Sequence, residues 1–141
     1  MNPALKQLYK QTLIEHSKAP RNNHPLPDSA CATIRNPLCG DEITVYLKSD
    51  DVHSCQLAFT AQACSICMAS ASMMTQRLTN LSTPEIHAIA SDFVSNFKNN
   101  SEAAGLEGDL AALTGVSAFP SRIRCATLPW EALLKIDKRR F

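Results

Sequence analysis

Cysteine and aspartate stand in this chain in a pattern that suits metal or sulfur chemistry. Asn36-Pro37-Leu38-Cys39-Gly40-Asp41 sets a thiol and a carboxylate two residues apart, around a glycine. Pro37 fixes its own backbone and pushes Asn36 into an extended conformation. Gly40 can take backbone angles that other residues avoid. A tight turn here can aim the Cys39 thiolate and the Asp41 carboxylate toward one point. Ala63-Cys64-Ser65-Ile66-Cys67 and Arg124-Cys125-Ala126 supply further thiols. Zinc accepts both sulfur and carboxylate oxygen in a tetrahedral site. Iron–sulfur clusters also take thiolates, and a carboxylate makes a harder, more exchangeable ligand for them. Spacing alone leaves open whether the three segments meet, because scattered core cysteines present the same pattern.

Each thiol has a bland reading beside the chemical one. Cys64 stands where a strand gives way to a helix, at the positive end of the helix dipole, a place suited to an anionic ligand or a sulfur nucleophile. Arg122 and Arg124 bring positive charge beside Cys125. Cys64 and Cys67 form a Cys-x-x-Cys pair, a spacing found in dithiol redox proteins and zinc knuckles. No second pair accompanies it, and Cys67 one turn into a helix reads more simply as a core residue. Cys31 and Cys55 fall in strands and are expected to pack as small hydrophobes. His16 reads as a half-buried helix residue, His24 as a surface loop residue and His87 as exposed on a helix flank.

The elements that must position these residues follow from periodicity. Residues 3–19 read as a helix capped by Asn2, with Leu5, Leu8, Tyr9, Leu13 and His16 on one face and Pro20 as its end. A proline-rich tether spans 20–29. Three strands are expected: Ala30–Arg35, Glu42–Lys48 and Val52–Ala61, the last two joined by a turn at Ser49-Asp50-Asp51. A helix capped by Ser65 runs to about Leu78, its small residues suited to close packing. Ser82 and Glu85 have capping-box spacing ahead of an Ile86, Ile89, Phe93, Phe97 stripe, and Asn99-Asn100-Ser101 closes that helix. Leu110–Leu113 is read as one or two helical turns. A short helix or turn bears Arg122, Arg124 and Cys125, and a final helix starts near Pro129. The expected fold is α+β: a three-stranded antiparallel sheet covered by helices.

Bulk properties narrow the function. The 141 residues are 45% hydrophobic and 19% charged, the size and composition of one domain spanning 1–141. A net charge of +1 argues against a nucleic-acid binder working through a broad basic field. Lys135 and Lys138-Arg139-Arg140 read as a solvated helix end. The polar segment Met1–Gln7 lacks a signal-peptide core, and no apolar run approaches the ~18 residues of a membrane span. A cytoplasmic location with no membrane partner is therefore expected. There the six cysteines should be mostly reduced, which favours metal or thiol chemistry over a disulfide framework.

The chain resembles the U-type iron–sulfur scaffold family (IscU, SufU and the NifU N-terminal domain), and within it the SufU branch. Asn36–Asp41 looks like that family's first motif. Ala63-Cys64-Ser65-Ile66 with Met68-Ala69-Ser70-Ala71-Ser72-Met73-Met74 looks like the second, and Arg122-Ile123-Arg124-Cys125-Ala126-Thr127-Leu128 like the third. IscU-type scaffolds place histidine where Arg124 stands, and they carry a Leu-Pro-Pro-Val-Lys stretch that is absent here. The segment around Gly105–Ser117 looks like the SufU insertion. Cys67 is a departure, since SufU-like proteins usually have serine there.

The resemblance implies a SufE/NifU-like scaffold fold and a zinc site made by Cys39, Asp41, Cys64 and Cys125. It implies sulfur transfer for iron–sulfur cluster assembly, with a SufS-type, pyridoxal-phosphate-dependent cysteine desulfurase as partner and other assembly proteins beyond it. Cys39 is the expected persulfide acceptor, freed when a partner histidine replaces it on zinc. A scaffold carrying a [2Fe–2S] cluster on the same ligands is the alternative, and a structural zinc module or a Cys64/Cys67 dithiol protein a third.

Overall fold

The computed structural model describes residues 3–37, 40–51, 54–98 and 108–136. Helix α1 is Pro3–Lys18, strands β1, β2 and β3 are Ala30–Arg35, Glu42–Asp51 and Ser54–Gln62, and helices α2 and α3 are Ser65–Leu78 and Thr83–Lys98. A 3-10 segment, Gly108–Ala118, precedes helix α4, Pro120–Leu134.

The strands form one antiparallel sheet in the order β1-β2-β3. Ile43, Val45 and Leu47 alternate inward with Leu57 and Phe59 of β3, because side chains two apart share a sheet face. The β2–β3 connection differs from expectation. β2 runs on through the Ser49-Asp50-Asp51 segment, with a register shift between Ser49 and Asp51. Cys31 also differs: it is exposed. Ile34 faces the core, so Ala32 shares its side while Cys31, Thr33 and Arg35 point outward. Cys55, on the inner face of β3, is fully buried as expected.

Helices α2 and α4 pack on the inner face of the sheet, α1 lies against α2 and the 3-10 segment, and α3 lies against α4. Ala69, Ser70, Ala71 and Ser72 of α2 are fully buried, so their small side chains let neighbouring elements approach closely. Trp130 of α4 stacks on Phe93 of α3 at 4.0 Å between ring centroids. Burying side chains of this size contributes roughly 1.5–3 kcal/mol each. On α1, Tyr9 and Leu13 are half-buried while Leu8 stays 55% exposed, so the buried stripe is narrower than its periodicity suggests.

Three local signals have mixed outcomes. The Ser82–Glu85 capping box forms, with Ser82 Oγ donating to Glu85 Oε1 at 2.8 Å. The N-cap of α2 is Cys64 rather than Ser65, which is the helix's first residue. The last helix starts at Pro120, not near Pro129, and Pro129 lies inside it. A proline at position 129 lacks the N–H that would bond the Cys125 carbonyl, a defect of about 3 kcal/mol in an exposed helix. Here Leu128, Trp130 and Leu133 are fully buried around it, and that packing keeps the helix continuous. In the 3-10 segment, Leu110, Leu113 and Val116 recur every third residue and are buried, as a three-residue turn requires. The expected closure at Asn99-Asn100-Ser101 lies outside the described residues. Among those that are described, no helix is long and apolar enough to cross a membrane.

Candidate metal centre

The turn between β1 and β2 is closed by its own backbone. Asn36 N–H donates to the Asp41 carbonyl at 2.7 Å, and Gly40 N–H donates to the Asn36 carbonyl at 2.8 Å. Gly40 has φ +76°, a left-handed conformation that side chains disfavour. The glycine thus lets the chain double back and enter β2 with Asp41 turned inward, only 6% exposed. Leu38 and Cys39 lie outside the described residues, so the expected ligand and acceptor role of Cys39 has no described geometry.

Asp41 reaches the start of α2. Its Oδ1 accepts the Cys64 backbone N–H at 3.1 Å. That N–H belongs to the N-cap residue, and the carboxylate sits at the positive end of the helix. Its Oδ2 is buried and has no hydrogen-bond partner among the described residues. A buried, unpartnered carboxylate oxygen costs several kcal/mol unless a cation or proton compensates it.

Two cysteine sulfurs stand beside the carboxylate, placed to share such a cation with it. One ligand atom each from Asp41, Cys64 and Cys125 lies within 4.8 Å of the other two. A tetrahedral zinc, with Zn–S about 2.3 Å, sets its ligand atoms roughly 3.5–3.8 Å apart. The three atoms are therefore close enough to ligate one ion after small adjustments. Two thiols and a carboxylate are a donor set that zinc takes readily and that iron–sulfur chemistry also accepts. The site is walled by buried residues, with Cys64 its half-exposed side.

Packing between α2 and α4 holds the two thiols in place. Ser70 Oγ donates to the Ala126 carbonyl at 2.6 Å and accepts the Trp130 indole N–H at 3.0 Å. One buried hydroxyl thus links α2 to α4 next to Cys125, itself 4% exposed. Arg124, the residue before Cys125, has its Nε 3.1 Å from Glu131 Oε2 along the same helix. Thr127 Oγ1 donates to the same carboxylate oxygen at 3.1 Å. A guanidinium has no lone pair to give a metal, so Arg124 adds charge rather than a ligand.

The remaining candidates lie elsewhere. Cys67 is fully buried in α2 and stands outside the three-residue group. His24 is exposed, its ring bonded to the Pro25 carbonyl. His87 is half-buried rather than exposed. His16 is more deeply placed than its helix position suggests, at 1% exposure. Its Nδ1 lies 2.7 Å from Ser72 Oγ and its Nε2 2.7 Å from Asp109 Oδ2. Ser72 Oγ also accepts the Arg21 N–H. With the Ser72 hydroxyl donating to Nδ1 and Nε2–H donating to Asp109, every group is satisfied. This network ties α1, α2 and the 3-10 segment together. Its sequence signal, a helix histidine facing a serine far along the chain, has no recognisable spacing.

Comparison with known proteins matches this arrangement to a described family. The model for the NifU-like N terminal domain matches residues 8–126. The chain is 40% identical over 135 residues to the zinc-dependent sulfurtransferase SufU of Bacillus subtilis (strain 168), covering 95% of this chain and 92% of the relative. It is 36% identical over 136 residues to the iron-sulfur cluster assembly scaffold protein IscU of Streptococcus pyogenes serotype M1, covering 96% and 86%. The crystal structure of a nitrogen-fixing NifU-like protein (N-terminal) from Brucella abortus superposes with a TM-score of 0.78 at 24% identity, covering 96% of each chain, which is a likeness of fold.

Proposed function

The chain belongs to the family of NifU-like N-terminal domains, and from that premise we propose that it is a zinc-dependent sulfurtransferase of iron–sulfur cluster assembly. It accepts persulfide sulfur from a cysteine desulfurase. The observation that carries the reading is the Asp41–Cys64–Cys125 group, with a buried Asp41 Oδ2 that has no hydrogen-bond partner among the described residues. Likeness to the Bacillus subtilis zinc-dependent sulfurtransferase over nearly the whole chain supports it.

In this reading Asp41, Cys64 and Cys125 hold the ion, and Cys39 completes the set. When bound, zinc keeps its thiol ligands deprotonated at neutral pH. The chain's own part is positional. The closed turn and the Cys64 N–H fix Asp41, and Ser70 fixes α4 and so Cys125. Cys39 is the acceptor. Its thiolate attacks the terminal sulfur of the donor persulfide. A new S–S bond forms on Cys39 Sγ while the donor's S–S bond breaks, and the electron pair leaves on the donor thiolate. Sulfur moves with no net oxidation, so the step needs no further reductant.

A cluster scaffold is the second reading, supported by the likeness to the Streptococcus pyogenes scaffold protein and by a donor set that suits both metals. Arg124, which cannot ligate, favours transfer. Metal analysis and an absorption spectrum of protein purified without oxygen distinguish the readings. One zinc and no visible absorption is expected; iron with labile sulfide and a brown colour would establish the scaffold. Desulfurase turnover then tests the acceptor. Cys39→Ala is expected to lose stimulation by at least a hundredfold, and Cys67→Ser to keep it. Full stimulation by Cys39→Ala refutes the acceptor assignment, and loss with Cys67→Ser alone moves it to Cys67.

A further inference from the structure

Beside the metal centre runs an open groove of about 980 Å³, walled by α1, the first turn of α2, the 3-10 segment and the start of α4. Its volume is at the upper end of the roughly 300–1,000 Å³ that small-molecule pockets span. Its openness suits a segment of a protein better than an enclosed metabolite. Leu13, Ile66 and Val116 supply apolar lining. Phe119 lines it too and is 62% exposed, the greatest exposure among the large hydrophobics described. Exposed aromatics and arginines of this kind are the residues that protein interfaces use as anchors.

The charge on this groove has one sign. Lys6, Lys10 and Arg122 line it and are exposed, and no Asp or Glu is among its described lining residues. The whole chain carries a net charge of only +1, so this clustering is local. Its position matters as much as its charge. Ser65 and Ile66 directly follow Cys64, and Arg122 lies one helical turn before Cys125. Whatever fills the groove therefore lies next to the ligand group.

We propose that this groove is the docking site for an acidic segment of the sulfur-donating protein, one that carries an apolar side chain between carboxylates. The proposal rests on the sulfur-transfer reading and extends it by naming the surface and the chemistry of the partner's segment. The apolar side chain packs against Leu13, Ile66, Val116 and Phe119, and the flanking carboxylates face Lys6, Lys10 and Arg122. Such a contact orients the donor's persulfide toward the site and speeds encounter at low salt.

The test is calorimetric binding of the full, zinc-loaded chain to a cysteine desulfurase at two salt concentrations. The Lys6→Glu/Lys10→Glu double variant is expected to bind at least tenfold more weakly than wild type, with a shallower salt dependence. Lys6→Arg/Lys10→Arg should bind as wild type, and Phe119→Ser more weakly at both salt concentrations. Zinc content and far-ultraviolet circular dichroism, measured on each variant, identify any that fail to fold. Wild-type affinity in both the charge-reversal variant and Phe119→Ser overturns the groove while leaving sulfur transfer standing. No binding by wild type overturns the transfer reading, and the groove with it. If wild type self-associates through the groove and the same substitutions abolish that, the surface is an interface between copies and the proposal falls.

Discussion

At the scale of single residues, the centre depends on polar atoms whose partners are accounted for one at a time. Asp41 divides its two oxygens, Oδ1 to the Cys64 N–H and Oδ2 to no described hydrogen-bond donor. Ser70 uses its hydroxyl both ways, as donor to Ala126 and acceptor from Trp130. Ser70→Ala leaves a buried indole N–H unpaired, at about 1–3 kcal/mol, and removes the hydroxyl's hydrogen bond to the Ala126 carbonyl, at about 1 kcal/mol. Urea denaturation should therefore show a loss of roughly 2–4 kcal/mol, with zinc affinity falling as α4 loosens against α2. Unchanged stability would mean that water or a neighbour replaces the hydroxyl at no cost.

At the scale of elements, what the sequence made legible followed from local rules. The alternation of Ile43, Val45 and Leu47 predicts an inward face of β2, and the structure has it. Ser82 and Glu85 predict a capped start to α3, and the bonds are there. The three ligand-bearing segments announce themselves by type and spacing. Their convergence is invisible to spacing, because it depends on how α2 and α4 lie on the sheet. Pro129 misleads for a similar reason. A local rule reads it as a helix start, whereas burial of Leu128, Trp130 and Leu133 carries the helix through it. Cys31 misleads because composition says only that cysteine packs well. The inward position of Ile34 decides which face of β1 each residue takes. The His16–Ser72–Asp109 network left no local trace, since its partners come from three separate elements.

At the scale of the whole molecule, Asp41, Cys64 and Cys125 come from a strand's entry, a helix start and the last described helix. The unfolded chain does not hold them together, so an ion that needs all three binds the folded state. Zinc at a free concentration a hundredfold above its dissociation constant should then raise unfolding free energy by about 2.7 kcal/mol. A chelator should remove the same amount, read as a shift of the denaturation midpoint. A midpoint indifferent to both would show that the three residues do not act as one site.

The loop before β1 has a consequence of another kind. Asn23 forms a parallel bridge with Phe59, and Phe59 N–H donates to the Asn22 carbonyl at 3.0 Å. Part of the outer edge of β3 is thereby occupied from within the chain, at the strand where a foreign strand would otherwise add. Such edges are templates for aggregation. Asn22 holds φ at 59°, which glycine tolerates and a β-branched residue resists. Asn22→Val should therefore free the edge and raise self-association on size-exclusion chromatography, while Asn22→Gly stays monodisperse to the same degree as wild type. The tether that looks like a passive connection would then act as a guard against strand addition, keeping the β3 edge from recruiting a second copy.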